Sequence, residues 1–169
     1  MVEEILGLGF DTIEISHGIR SSQLEGILAA REKYQFSISS VHNFLPMPVE
    51  VQTDSPDCYE FTSLRAADRD RATKLSRITI DWAAELGAPF VVVHTGRIRE
   101  LKLTAPLQKM VTDGKFLSRA FVKKRLDAIQ SREKVSEQYN QLILGCLGEL
   151  AAYAGKKGVR LGIENREYY

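Results

Sequence analysis

Apolar and polar positions alternate between two periods along this chain, and the change of period recurs four times. Short runs rich in β-branched and bulky residues read as strands: Asp11–Ser16, Phe36–His42, Pro89–His94 and Val159–Glu164. Between them, apolar residues recur at helical spacing. Residues 21–34 place Leu24, Ile27, Leu28 and Arg31 on one stripe, with Ser21 and Ser22 as expected N-caps. Residues 63–86 carry Leu64, Ala67, Leu75, Ile78, Trp82 and Leu86, and Gly87 follows as an expected C-terminal glycine. Residues 133–156 repeat the pattern with Val135, Tyr139, Leu142, Cys146, Leu150 and Tyr153, closed by Gly155 and Gly158. A short helix over about residues 2–8 precedes the first strand. Alternation of this kind predicts parallel βαβ units with right-handed crossovers, hence an α/β fold.

Two connections are long. Residues 43–62 hold Pro46, Pro48, Pro56 and several Asp, Ser and Thr, and read as an irregular loop. Residues 95–132 are mixed in charge, with helical propensity from about 116 onward. Both follow the C-terminal end of a strand, the side on which parallel α/β folds bind ligands. The fourth strand leaves too little chain after it for a covering helix, and the first helix has no strand before it. The expectation is therefore a segment of a larger α/β protein, with self-association through an exposed sheet edge.

Strand parity sorts the ionisable residues. Side chains alternate across a strand, so Glu14 shares a face with Thr12 and Ser16, His42 with Ser40 and Ile38, His94 with Val92 and Phe90, and Glu164 with Gly162 and Arg160. Ile13 and Ile15, and Leu161 and Ile163, take the other face and suit packing against helices. Two carboxylates and two imidazoles are thus expected at one end of the sheet, on the face away from the helices. Such a set suits zinc, manganese or iron, while magnesium asks for more oxygen ligands. It also suits acid–base work near neutral pH. Glu14 has an alternative partner in Arg20 or Arg166, and His17 reads equally well as a solvated loop residue.

Composition narrows the classes. Lys and Arg number 23 against 22 Asp and Glu, a formal net charge of +1, which argues against a protein built to bind bulk nucleic acid. The basic residues Lys115, Arg119, Lys123, Lys124, Arg125, Arg132 and Lys134 read as a solvated helix face. Two cysteines without metal-finger spacing point to a reducing, cytoplasmic setting: Cys58 lies in a loop without an evident base, and Cys146 lies on an apolar stripe. No apolar run approaches the roughly 20 residues of a membrane span. Gly7-Leu-Gly9 precedes a strand and is not a dinucleotide fingerprint.

Four segments carry a family resemblance: Gly9-Phe-Asp-Thr-Ile-Glu-Ile-Ser-His-Gly-Ile-Arg20, Ser40-Val-His-Asn-Phe-Leu-Pro46, Pro89-Phe-Val-Val-Val-His-Thr-Gly96 and Leu161-Gly-Ile-Glu-Asn-Arg166. Together they resemble the xylose isomerase-like TIM barrel superfamily, which includes sugar phosphate isomerases and epimerases and the endonuclease IV type of abasic-site nuclease. The resemblance covers nearly the whole chain. It implies a partial (β/α)8 barrel, strands two to five of eight, with residues 1–169 as one incomplete TIM-barrel domain. It implies a divalent metal (Zn, Mn or Mg) held by Glu164, His42 and His94. The catalytic residues would be Glu164 and His94, and the substrate contacts His42, Glu14, His17, Asn165 and Arg166. The implied function is a sugar or sugar phosphate isomerase or epimerase that moves a proton next to a carbonyl, acting on a small carbohydrate. The alternatives are an endonuclease IV-like metal-dependent phosphodiesterase, or a non-catalytic half-barrel that pairs with another chain. The family's ligands from later strands have no counterpart here.

Overall fold

The computed structural model describes residues 2–52, 57–98 and 104–164. The elements run α1 (Val2–Gly7), β1 (Thr12–Ile15), α2 (Ser21–Lys33), β2 (Ser37–His42), α3 (Ala66–Leu86), β3 (Phe90–His94), α4 (Thr104–Thr112), α5 (Arg119–Lys156) and β4 (Arg160–Glu164). The four strands form one sheet in the order β1-β2-β3-β4, and every pair is parallel. This sequential parallel sheet with surrounding helices is a partial TIM barrel.

One face of the sheet carries the core. Ile15, Ile38, Val41, Val91 and Val93 are buried there with Leu24 of α2, Ala72, Ile80, Ala83 and Leu86 of α3, and Leu150 and Ala154 of α5. The other face carries the ionisable side chains. Register makes this plain, because paired residues in a parallel sheet project to the same side. Glu14 pairs with Ser40, His42 with Val92, Val92 with Gly162, and His94 with Glu164.

Several local expectations are corrected. Ile38 does not share a face with His42. The β1–β2 register shifts between Ile13 and Glu14, so Ile13 pairs with Ile38 and Glu14 with Ser40. Ser39 is the extra residue of this bulge, which turns Ile38 to the core side with Val41. Ile163 stands 50% exposed at the end of β4, whereas Leu161 packs on the core. Arg20, not Ser21 or Ser22, occupies the cap of α2; its backbone N–H donates to the Gln23 side chain at 2.9 Å. Arg31 sits on the apolar stripe of α2 because its guanidinium reaches the Leu86 carbonyl at 2.9 Å, satisfying an open C-terminal group of α3.

The buried face of α3 also differs. It comprises Ala72, Ser76, Thr79, Ile80, Ala83 and Leu86, while Leu64 and Ile78 are exposed. The hydroxyls of Ser76 and Thr79 explain the difference. Ser76 accepts from the Asn43 amide at 2.7 Å, and Thr79 accepts from the Leu45 N–H at 2.8 Å. They satisfy the loop leaving β2, whose polar groups would otherwise be buried without partners. Gly87 ends α3 in the left-handed region, as expected. In the second long connection α4 is an addition, and α5 begins at Arg119, near the start expected there, and continues without a break to Lys156, so Gly155 lies inside the helix. Val122, Leu126 and Ile129 of its first turns are exposed, alongside the basic residues expected on a solvated helix face. No helix among the described residues is long and apolar enough to cross a membrane.

Candidate metal and proton-transfer site

The C-terminal ends of the four strands bring Glu14, His42, His94 and Glu164 together. His42 Nε2 lies 3.3 Å from Glu14 Oε1 and 3.9 Å from Glu164 Oε2. His94 Nε2 lies 3.3 Å from the same Glu164 oxygen. The ring centroids of His42 and His94 are 5.5 Å apart, edge to face, and His17 stands 5.7 Å from His42 on the far side. Ser40 donates its hydroxyl to Glu14, so Glu14 is held by β2 and not by Arg20, whose guanidinium contacts the Gln52 carbonyl instead. Asn165 and Arg166 lie outside the described residues.

The environments of these groups differ. The His94 side chain is nearly buried and that of His42 only slightly less so, while Glu14 and Glu164 are about half exposed. Burial pushes the His42 imidazole below its ordinary 6.5, opposed by the carboxylate of Glu14. His42 is therefore neutral at pH 7, the form that can donate a lone pair. Its Nδ1 is buried with no hydrogen-bond partner.

A folded-state value below the unfolded one means the unfolded chain binds the extra proton more readily. The contribution of His42 is therefore fully present above the unfolded value of 6.5 and is lost as pH falls through the lower folded value. Urea denaturation of the metal-free protein at about pH 7.5 and about pH 5 is expected to show less loss of stability on acidification for His42→Gln than for wild type. An equal loss in both proteins would mean that the imidazole titrates as it does in the unfolded chain.

The donor set suits an ion. His42, His94 and Glu164 each offer one ligand atom, and the three atoms lie within 4.8 Å of one another. Bonds of about 2.0–2.1 Å to a tetrahedral ion set its donors roughly 3.3–3.4 Å apart. The two separations to Glu164 Oε2, 3.3 and 3.9 Å, lie close to that, and all three atoms are within 4.8 Å of one another. Two imidazoles and one carboxylate match zinc and manganese chemistry, with further positions for water or substrate oxygen.

Asp57 carries no mark in the sequence pattern. It stands in the loop after β2, and its Oδ1 lies 3.3 Å from His94 Nδ1. Loops carry no side-chain period, so no spacing marks it; the only signal is that a long connection follows a strand's C-terminal end. Cys58 beside it is no nucleophile, because burial raises its thiol to about 11. Cys146 packs at the core edge, as its stripe predicts.

The loop over residues 57–62 is seated on the turn after β3. The Thr62 N–H donates to the Thr95 carbonyl at 3.2 Å, and buried Glu60 pairs with Arg97 at 3.2 Å. Gly96, at φ 106°, lies directly beneath Thr62 and Glu60.

A family model described as xylose isomerase-like TIM barrel matches residues 2–168. No curated protein matches the chain. Among solved structures, a D-tagatose 3-epimerase-like protein is 22% identical with a TM-score of 0.59, over 99% of this chain and 48% of its own. A xylose isomerase domain protein from Planctomyces limnophilus is 13% identical with a TM-score of 0.57, over 100% of this chain and 50% of its own. A Thermus thermophilus protein soaked with zinc chloride is 19% identical with a TM-score of 0.54, over 97% of this chain and 50% of its own. The chain thus spans about half the length of these structures.

Proposed function

The chain belongs to the xylose isomerase-like TIM barrel family, and from that premise we propose that it forms part of a divalent-metal-assisted isomerase or epimerase acting on a sugar or sugar phosphate. The observation that carries this reading is the convergence of His42, His94 and Glu164 on one point at the strand ends. These three residues would hold the ion. When bound, such an ion polarises a substrate carbonyl and stabilises the charge that develops on its oxygen.

The protein's own groups supply the rest. Glu164 acts as ligand or as the base that takes a proton from the carbon beside the carbonyl. Its Oε2 is 3.3 Å from His94 Nε2, so the carboxylate and the imidazole face the same point at the strand ends. Glu14, fixed by Ser40, and His17 flank His42 and would meet the hydroxyls of a bound carbohydrate. The expected product of such a site is an epimer or an aldose–ketose partner. The D-tagatose 3-epimerase-like and xylose isomerase domain structures support this reaction class. The zinc-soaked structure supports a metal in this fold.

Incubating the protein carrying this chain with D-tagatose and other ketoses in D2O, with zinc, manganese or magnesium, tests the reading. Deuterium is expected at the carbon next to the carbonyl. No incorporation with any ketose and metal, alongside cleavage of an abasic-site duplex, would move the protein to the phosphodiesterase class. Two strand-end imidazoles suit that class equally well as metal ligands.

A further inference from the structure

We propose that Asp57 is a positioning residue: it holds the proton of His94 on Nδ1 and so leaves the Nε2 lone pair free to face Glu164 and a bound ion. This rests on the metal-site reading above. The geometry is a line of three groups, Asp57 Oδ1, the His94 ring and Glu164 Oε2, with 3.3 Å on each side of the imidazole.

An imidazole that lends a lone pair to an ion carries one proton, and two carboxylates compete for it. On Nε2 it would serve Glu164, whose side chain is 49% exposed and already solvated by water. On Nδ1 it serves Asp57, 15% exposed, which has given up most of that water. A buried acceptor loses more when a donor turns away than an exposed one does, so the proton belongs on Nδ1. Nε2 then confronts Glu164 as acceptor against acceptor, an arrangement that a cation between them relieves. Outer partners of this kind fix both ring orientation and tautomer in histidine metal sites.

His42 supplies the contrast within the same site. Its Nδ1 is buried without a hydrogen-bond partner, and only its Nε2 meets a carboxylate, Glu14 at 3.3 Å, so nothing holds a proton on Nδ1 and away from the ion. His94 is the better-held imidazole of the pair. The placement of Asp57 is itself built into the fold, because its loop is tied down at Thr62–Thr95, one residue beyond His94.

The test uses the metal-free protein with 15N-labelled histidine, so its outcome is independent of catalysis. NMR of the imidazole nitrogens is expected to show His94 protonated at Nδ1 and bare at Nε2. In Asp57→Asn the amide can donate to Nδ1, which favours the opposite tautomer. The His94 signals should then exchange character, and Asp57→Glu should restore the original pattern at least partly. Zinc titration should show affinity about 10–100-fold lower in Asp57→Asn, with an unchanged melting temperature for the metal-free protein. A wild-type His94 protonated at Nε2, or a tautomer indifferent to Asp57→Asn, overturns the proposal. Failure of wild type to bind zinc overturns the metal-site reading instead, and the tautomer measurement still decides the role of Asp57.

Discussion

Glu164→Gln is expected to lower zinc and manganese affinity by at least about 100-fold, or about 2.7 kcal/mol, measured by calorimetric titration against wild type. The amide keeps the length and shape of the side chain and one acceptor oxygen, but removes the charge. Among the donors that lie within 4.8 Å of one another, Glu164 is the anion; the other two are imidazoles. Its Oε2 is also the atom that both histidines approach, at 3.3 and 3.9 Å. An anionic ligand so placed should cost more than the roughly 10–100-fold typical of outer partners. Stability is a separate matter. Glu164 is about half exposed at the end of β4, so the metal-free variant should melt with wild type. Equal metal affinity in the two proteins would show that Glu164 is not a ligand and that its place between the imidazoles is structural.

The parts of this site that could be read beforehand are those on regular strands. At the tips of β3 and β4 alternation gives the face that His94 and Glu164 take, and the register then pairs them. In β2 the bulge at Ser39 breaks that alternation, which is why Ile38 takes the face opposite to the one its spacing from His42 predicts. The break lies before Ser40, so the pairing of Ser40 with Glu14 and the projection of His42 survive it. What escaped were groups whose reason lies in another segment. Ser76 and Thr79 make no sense on an apolar helix face until the loop at Asn43 and Leu45 is laid against them. Asp57 reaches His94 across 37 residues of sequence through a loop with no period of its own. Helical propensity from about residue 116 is legible, but its continuity with the stripe over 133–156 is not, because Val122, Leu126 and Ile129 face solvent and no buried stripe sets a helical rhythm there.

Gly96→Ala is expected to destabilise the protein by about 2–5 kcal/mol and to weaken zinc binding with it. Two effects combine at this position. The backbone sits at φ 106°, where side chains with a Cβ are strained. A Cβ built there would stand 2.3 Å from Thr62 Oγ1 and 2.8 Å from Glu60 Cβ, both on buried residues. Neither neighbour can retreat easily. The Thr62 N–H is bonded to the Thr95 carbonyl, and Glu60 is held by Arg97. The loop over 57–62 must therefore lift, and Asp57 would be drawn away from His94. Gly114→Ala isolates the backbone part: it shares a positive φ of 70° but has nothing within 4 Å of a built Cβ. That control should lose only about 1–2 kcal/mol and bind zinc like wild type. Equal losses from the two substitutions in urea denaturation would mean that the loop does not rest on Gly96, and that Asp57 is held over His94 by other contacts.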